Sequence, residues 1–581
     1  MRALEREGWL GESPAADDRA ARSGPGIAGA ALGLGLGLLA LGPGLRRGFL
    51  LSYDMLFVPR EPFSAALPGL APPRAVPSDL VIAAASRVLP ADIVQKVVLL
   101  AIFMLACSGA VALLDREPRL ARLAAGAFYA WNPYVAERLI IGQWALLLGY
   151  AGLPWVLRAM LAPDLSSRRG AARLGLAMLP AAVGGFAAMT VTALLVVAAA
   201  PFGAGPRRAA IGLTALGVGS LPWFIPSLLH AVYVDPASVA AFAARADTPF
   251  GSIGSLLMLG GAWNAQTVPK AYGGAWSALW LVVVIVALAG YAAIARPHAR
   301  AGGSGPAATG GQASRVVPPG QHRWPGLGVA AVAGLVLASI GVTAVGRDLL
   351  RSLIGAWPGF AVLRDGQQFV APLALAEAVG LGLAVGWVMK PHTSQADVDA
   401  AGVMASRTPR GAADAAGAML GVFALLAPVL LLPGLAWGAA GRLRPAEYPA
   451  GWLAAARLID ASPAGGDALI LPWETYRTPY WNHGEVVLDP WTRLLSRPVI
   501  WNDGTRVGDV ELAPDDPRAR RLDAVIRGTG SLTAALAAAG VRFVVDDADG
   551  PGPQDQSAGA RLPGAVVLVD QPGLTVYELP G

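Results

Sequence analysis

The sequence predicts a polytopic α-helical membrane protein with a small C-terminal α/β domain. The chain has 581 residues, of which 55% are hydrophobic and only 14% are charged. A soluble protein carries about 25% charged residues, so the deficit indicates a chain that lies mostly in lipid. The second observation is a series of long apolar runs, which ends near residue 436. The third is the segment beyond that point, where short apolar runs alternate with polar loops.

A helix needs about 20 apolar residues to cross a bilayer. About eleven stretches are candidates by that measure, and they are 26–44, 93–114, 121–136, 144–162, 174–187, 189–202, 210–230, 276–295, 326–345, 369–389 and 415–436. The pair within 174–202 is too long for one span and short for two. A re-entrant hairpin and two short spans therefore both remain open there.

Arginine is concentrated in the loops that follow alternate spans, and cytoplasmic loops carry an excess of Arg and Lys. The formal charge of +6 is therefore interpreted as a signal of membrane orientation and not of nucleic-acid binding. This distribution places the N-terminus in the cytoplasm and gives the following organisation: a disordered cytoplasmic tail at 1–25, a transmembrane domain at 26–436 with external loops at 45–92, 231–275 and 346–368, and an extracytoplasmic α/β domain at 437–581.

The C-terminal segment predicts a small α/β sheet. Buried strands are expected at 468–471, 541–545, 565–569 and 574–579. Ser531 is a residue type that caps helices, so a helix is expected from there to about Ala539. The loop 472–484 is rich in aromatic residues, among them Tyr476, which could stack on sugar rings or could rest on the membrane domain.

The first external loop carries the strongest candidate for chemistry, in the stretch LSYDMLFVPREPF at 51–63. Asp54 lies a few residues beyond the first span, at the depth of the lipid headgroups. A carboxylate there can act as a general base toward a hydroxyl group, or it can simply cap a turn or pair with Arg60. Arg60 and Glu61 are further candidates for substrate binding in this loop.

The external loop 346–368 has net positive charge and ends at VLRDGQQF. Arg364 can bind a phosphate through bidentate hydrogen bonds, or it can extend to the interface beside a helix start at Asp365. The candidates for binding substrate in this loop are Arg347, Arg351, Arg364, Asp365 and Gln367.

The turn WNPYVAERLIIGQW at 131–144 joins two spans on the external face. Glu137 and Arg138 are neighbours and would point to different sides of a helix, so one of them could face a cavity. The alternative is an aromatic belt at the interface with charges that reach water.

Several function classes lack their sequence signals. The chain has no HExxH, CxxC, Walker A or GxSxG motif, and ionisable residues within the spans are sparse. These absences disfavour zinc-dependent, nucleotide-driven and ion-coupled mechanisms. The run GLGLG at 33–37 follows no strand, so it is interpreted as a helix-packing surface inside a span.

With these residues in view, the chain resembles the GT-C superfamily of membrane glycosyltransferases, and most of all the actinobacterial arabinosyl- and mannosyltransferases of cell-wall assembly. The stretches that carry the resemblance are SYDMLFVP, WNPYVAERLIIGQW and VLRDGQQF. The resemblance covers most of residues 26–436 as architecture.

The resemblance implies an inverting enzyme of the plasma membrane that takes a sugar from a polyprenyl-phosphate donor. The acceptor would be a glycan or lipid of the cell envelope. Asp54 matches the catalytic acid of the family's first external loop, although the paired acid of many members is absent here. A divalent cation is an open option, with Glu61 or Asp79 as its ligands. The alternative to an enzyme is a non-catalytic scaffold or exporter of envelope polysaccharide or lipid.

Overall fold

The computed structural model describes residues 14–66, 76–202, 205–229, 233–295, 324–390, 410–547 and 558–580. The first helix begins at Pro14, inside the segment 1–25 that was expected to be disordered, and residues 1–13 lie outside the described part. Most of the described helices form one large bundle, and the remaining ones belong to a smaller C-terminal unit.

The helices are α1 (Pro14–Leu41), α2 (Phe63–Ala66), α3 (Ser78–Ala85), α4 (Ala91–Leu113), α5 (Arg119–Ala130), α6 (Pro133–Ile140), α7 (Trp144–Leu161), α8 (Arg168–Gly184), α9 (Phe186–Ala199), α10 (Pro206–Leu229), α11 (Ser238–Ala241), α12 (Gly251–Leu257), α13 (Trp276–Ala295), α14 (Pro325–Ile340), α15 (Ala344–Ala356), α16 (Ala371–Met389), α17 (Arg410–Leu431), α18 (Ala450–Ala461), α19 (Trp491–Leu494), α20 (Pro517–Arg527) and α21 (Thr533–Ala538).

The chain is a multi-pass membrane protein, because several of these helices are both long and apolar. Within the described residues, 6 helices meet the length and composition of a span, or up to 8 when each bent pair is taken as one. A helix lies in every one of the predicted stretches, but the count of about eleven spans stays a prediction. Helices α8 and α9 meet at Gly185, whose φ of +77° suits glycine.

Glycines allow the bundle helices to approach closely. A Cβ added to Gly33 would lie 2.5 Å from the carbonyl oxygen of Phe103 on α4. Gly29 and Gly37, one turn to either side, also face α4, whereas Gly35 faces open space. The interpretation of the GLGLG run as a packing surface is therefore confirmed.

The strands are β1 (Phe49–Leu50), β2 (Pro445–Ala446), β3 (Asp467–Leu471), β4 (Tyr476–Arg477), β5 (Val487–Leu488), β6 (Val499–Ile500), β7 (Arg506–Val507), β8 (Val510–Glu511), β9 (Val541–Asp546), β10 (Val566–Gln571) and β11 (Leu574–Glu578). Five of them form a mixed sheet with the strand order β10-β11-β9-β3-β6. Strand β3 runs parallel to β9 and β6, and β11 runs antiparallel to β9 and β10.

Alternate residues of β3 face two different cores. Leu469 and Leu471 pack against α20 and α21, while Ala468 and Ile470 belong to the core that continues into the helical bundle. The expected helix cap at Ser531 is wrong. The helix starts at Thr533, and the capping position is Leu532, whose N–H bonds to the carbonyl of Arg561 at 2.7 Å.

Candidate active site

The loop after α1, which the sequence predicts to be the first external loop, lies between the helical bundle and the C-terminal sheet unit and is bonded to both. On the bundle side, the Gln95 side chain forms two hydrogen bonds with the backbone of Leu50, of 2.9 and 2.7 Å. On the other side, the Tyr53 N–H donates to the carbonyl of Val486 at 2.7 Å, and the Leu488 N–H donates to the carbonyl of Tyr53 at 2.9 Å. Backbone bonds on both sides therefore fix the position of the next residue, Asp54.

The same loop lies directly on the turn between α6 and α7. The Asp54 N–H donates to the carbonyl of Ile141 at 3.0 Å, and the Ser52 hydroxyl donates to the carbonyl of Ile140 at 2.6 Å. The close contact between this loop and the turn requires glycine at position 142, which has a φ of +86°. A Cβ there would lie 2.1 Å from the backbone nitrogen of Met55.

Asp54 is half-buried, and its two carboxylate oxygens have different partners. The Tyr476 hydroxyl donates to Oδ1 at 2.7 Å. The Gln143 side-chain amide points at Oδ2 from 3.5 Å, which is a long hydrogen bond. Tyr476 belongs to the C-terminal sheet unit, so two separate parts of the chain meet at this carboxylate.

Gln143 links Asp54 to a buried arginine. The Arg138 side chain is 1% exposed and donates to both oxygens of Asp365, at 2.6 and 2.9 Å. It also donates to the side-chain oxygens of Gln143 and, at 2.7 Å, of Gln367. The guanidinium is therefore held in a fixed fork, as is typical of a bidentate arginine–carboxylate pair.

Glu137 lies on the other side of the same network and is also buried. It accepts a hydrogen bond of 3.1 Å from the Gln367 amide. Burial, and then the neighbouring negative charge of Asp247, raise the pKa of Glu137 well above its usual range. Asp247 in turn accepts the N–H of Gly261 at 2.6 Å. The direction of this shift favours the protonated form of Glu137 beside the Arg138–Asp365 ion pair.

Local sequence signals explain how these side chains reach one place. Asn132 caps α6 by accepting the N–H of Val135 at 3.0 Å, and Pro133 occupies the first turn. Asp365 lies between two 3-10 turns, Pro358–Arg364 and Gly366–Val370. A narrow crevice, with no room for a water molecule, lies beside the network. It is lined by Glu137, Arg138, Ile141, Ala262, Trp263 and Thr267.

Glu61 and Asp79 form a second buried cluster, with Arg493 of the C-terminal unit. The Arg493 guanidinium lies 2.8 Å from Asp79 and 3.9 Å from Glu61. Burial, followed by repulsion from Asp79, raises the pKa of Glu61 to about 8. Two carboxylates that already face a guanidinium do not fit a divalent cation, which prefers six or more oxygen ligands. Across the described ranges, no group of three or more His, Cys, Asp and Glu residues could hold a metal ion.

The remaining predicted residues lie outside these two clusters. Arg60 is exposed. Arg347 donates to the carbonyls of Gly341 and Val342 at 3.2 and 3.0 Å. The other two are Arg351, which pairs with Asp348 at 2.7 Å on the surface, and Arg364, whose guanidinium lies 4.8 Å from the centre of the Phe242 ring.

The structure therefore brings together Asp54, Glu137, Arg138, Asp365 and Gln367. Gln143 and Asp247 were not predicted as site residues, and Tyr476 was predicted only as a residue that could stack on sugar rings or rest on the membrane domain. The sequence contains one usable signal for Gln143, its position directly after Gly142 in the external turn. Tyr476 lies 422 positions from Asp54, and no local pattern indicates that contact.

Comparison with known proteins identifies relatives by structure alone. No family model matches the chain, and no curated protein matches its sequence. The chain is similar to the cryo-EM structure of the arabinofuranosyltransferase AftD from mycobacteria, with a TM-score of 0.57 and 17% identity over 96% of this chain and 40% of that one. A variant of AftD gives TM-scores of 0.59 and 0.57 in two conformational classes, at 19% and 17% identity, again over 96% of this chain and 41% of that one.

This likeness establishes that the chain shares its fold with the AftD structures. The chain spans about two fifths of the length of these solved structures, since it covers 40–41% of them. The resemblance drawn from SYDMLFVP, WNPYVAERLIIGQW and VLRDGQQF is thus confirmed at the level of the fold.

Proposed function

We propose that this protein is a glycosyltransferase that moves a sugar from a polyprenyl-phosphate donor to a glycan or lipid acceptor of the cell envelope. The reaction takes place on the outer face of the plasma membrane. The N-terminus is cytoplasmic, and the C-terminal unit is extracytoplasmic. The observation that carries the proposal is the placement of Asp54: a fixed, half-buried carboxylate in the first external loop, joined through Gln143 to the Arg138–Asp365 pair.

The contacts among the external segments support this orientation. Residues from the loops 45–92, 231–275 and 346–368 meet at the network around Arg138, and the C-terminal unit reaches it through Tyr476. Segments that share one polar cluster have to lie on the same side of the membrane. Where the structure describes the positively charged loops that the sequence assigns to the cytoplasm, their side chains take no part in the hydrogen bonds of this network.

Asp54 is proposed to act as the general base of an inverting transfer. An acceptor hydroxyl takes the place of the long Gln143 contact on Oδ2 and gives its proton to that oxygen. The acceptor oxygen forms a bond to the anomeric carbon of the sugar while the bond from that carbon to the phosphate oxygen breaks. The lipid phosphate leaves with the electron pair, so protons and electrons balance without a further reactant.

The donor phosphate is proposed to bind the basic residues of loop 346–368, namely Arg347, Arg351 and Arg364. Arg351 supports this because it lines a half-open cavity of about 230 Å³ between that loop and the segment 233–239. Its partner Asp348 is exposed, so a phosphate can compete for the guanidinium. The crevice beside Arg138 does not admit a water molecule, so it has to widen for a sugar to enter.

AftD is an arabinofuranosyltransferase, which makes a polyprenyl-phosphate arabinose the first donor to test. The experiment is incubation of the purified protein in lipid nanodiscs with radiolabelled polyprenyl-phosphate arabinose or mannose and with an envelope glycan fraction. Transfer of label from either donor to the acceptor is the expected result. No transfer from either donor would favour the non-catalytic scaffold.

A further inference from the structure

The contact between Asp54 and the C-terminal unit has a consequence for the site itself. Tyr476 opens the short strand β4, which pairs with β5 in the register Tyr476 to Leu488 and Arg477 to Val487. Val487 also forms a parallel bridge to Tyr53. The edge of the C-terminal unit thus continues into the first external loop, and this register places the Tyr476 ring next to residue 54.

The strand that carries Tyr476 is anchored by a buried arginine. Arg477 is 2% exposed and lies between two buried carboxylates. Its guanidinium is 3.2 Å from Asp489 and 3.3 Å from Asp547, and it also donates to the backbone carbonyl of Asp547 at 2.6 Å. Such a fully paired arginine holds its strand in one position, because any shift would expose unpaired buried charges. Tyr476 is therefore presented to Asp54 by a rigid support.

The contact itself is short and specific. The Tyr476 hydroxyl lies 2.7 Å from Oδ1 of Asp54, and its ring meets the edge of the Tyr53 ring at a centroid distance of 5.8 Å. With Oδ1 held by a phenol, the carboxylate cannot rotate freely about its last bond. Oδ2 faces Gln143 from 3.5 Å, and an incoming hydroxyl can displace so long a hydrogen bond.

We infer that Tyr476 is a positioning residue for the general base, so that the C-terminal unit completes the active site. This inference rests on the proposed function. The hydroxyl fixes which oxygen of Asp54 receives the proton and stabilises the ionised carboxylate that the reaction needs. The aromatic-rich loop that contains Tyr476 therefore acts on the catalytic carboxylate, in addition to any contact it makes with a glycan.

Tyr448 offers a matched control within the same interface. Its hydroxyl also crosses from the C-terminal unit to the first external loop and donates to the carbonyl of Phe57 at 2.8 Å. Tyr476→Phe and Tyr448→Phe thus each remove one phenol hydrogen bond between the same two parts of the chain. Only the first of them touches Asp54.

The experiment compares the two variants with the wild-type protein in the transfer of label from polyprenyl-phosphate arabinose or mannose, whichever the wild type uses. Tyr476→Phe is expected to lower kcat by roughly 10- to 100-fold with little change in KM, because the carboxylate is no longer held in the orientation for proton transfer and a misplaced group costs up to about 100-fold. The acidic limb of its pH–rate profile moves to higher pH, because a carboxylate without its donor is protonated more readily. Tyr448→Phe is expected to keep the kcat and pH profile of the wild type.

A wild-type rate and pH profile for Tyr476→Phe would overturn the inference, and so would an equal loss in both variants. Asp54→Asn is measured in parallel to separate the two claims. If Asp54→Asn is inactive while Tyr476→Phe is normal, only the role of Tyr476 is wrong. If Asp54→Asn is fully active, or the wild type transfers no label, the proposed function is wrong and the inference falls with it. Thermal midpoints give a readout without activity: Asp54→Ala, which removes the acceptor oxygens, should be non-additive with Tyr476→Phe and additive with Tyr448→Phe.

Discussion

Replacement of Asp365 by Asn tests whether the Arg138 network is the buried anchor of the site. The variant keeps the shape of the side chain but removes the negative charge of the carboxylate, which accepts two hydrogen bonds from the Arg138 guanidinium, at 2.6 and 2.9 Å. It also turns an amide donor toward the guanidinium. Arg138 is 1% exposed and would retain a buried charge without its main partner.

The size of the effect follows from the burial of the pair. Breaking a buried ion pair by removing one partner costs about 3–5 kcal/mol. The Asp365 side chain is 20% exposed, so solvent screens part of this energy, and we expect about 2–4 kcal/mol. The thermal midpoint should therefore fall by several degrees. A loss of about 1 kcal/mol lowers the midpoint of a 150–250-residue domain by about 2–4 °C, and the shift per kcal/mol is smaller here because this chain is longer.

The assay is a thermal melt of purified protein in detergent at a fixed scan rate, since unfolding of such a protein is rarely reversible. Asp348→Asn is the matched control in the same loop, 346–368. It breaks an ion pair of similar length, 2.7 Å, whose side chains are 40% and 74% exposed. Such a pair contributes only about 0–1 kcal/mol. Equal midpoints for the two variants would refute the idea that Arg138 anchors the site.

Two further predictions concern the first external loop. Gly142→Ala should lose about 1–3 kcal/mol of stability or more, because its Cβ would lie 2.1 Å from the Met55 nitrogen. Gly35→Ala is the control, since its Cβ would have nothing within 4 Å, and its stability should match or exceed that of the wild type. Equal thermal midpoints and equal yields for the two variants would contradict this prediction. The raised pKa of Glu61 means that the folded state favours its protonated form, so stability should decline as the pH rises from about 4.5 through about 8. Glu61→Gln should flatten that decline in melts across this pH range, and an unchanged slope would contradict the role of Glu61.

Elements with a local signal were predictable from the sequence. The strands expected at 468–471, 541–545, 565–569 and 574–579 are all present, with ends shifted by one or two residues. Their alternation of apolar residues, or a short buried run between turn signals, is sufficient to indicate a strand. The GLGLG run was likewise predictable, since glycine spacing inside a span indicates close helix packing.

One signal in the sequence was present but was not used. The stretch 121–136 was interpreted as one span, whereas α5 ends at Ala130 and α6 begins at Pro133. Asn132 followed by Pro133 is the standard start of a helix, with a capping side chain and a proline in the first turn. The break turns Glu137 and Arg138 into the interior, where both are buried and do not extend to the interface.

The pairings within the site were not predictable. Asp54, Arg138 and Asp365 each stood out as charged residues at the ends of spans. Their connection runs through Gln143 and depends on how α6 packs against loops that are distant in sequence. The contact of Asp54 with Tyr476 depends on strand register in the C-terminal unit, which a single sequence does not reveal.

The most direct test of the central claim is the initial rate of sugar transfer by Asp54→Asn. Asn keeps the size of the side chain and an acceptor oxygen for the Tyr476 hydroxyl, so the variant should fold with a thermal midpoint close to that of the wild type. General base catalysis contributes about 10²–10⁴-fold, and we predict a loss of transfer on that scale. A folded Asp54→Asn protein that transfers sugar within about a factor of two of the wild type would contradict the account.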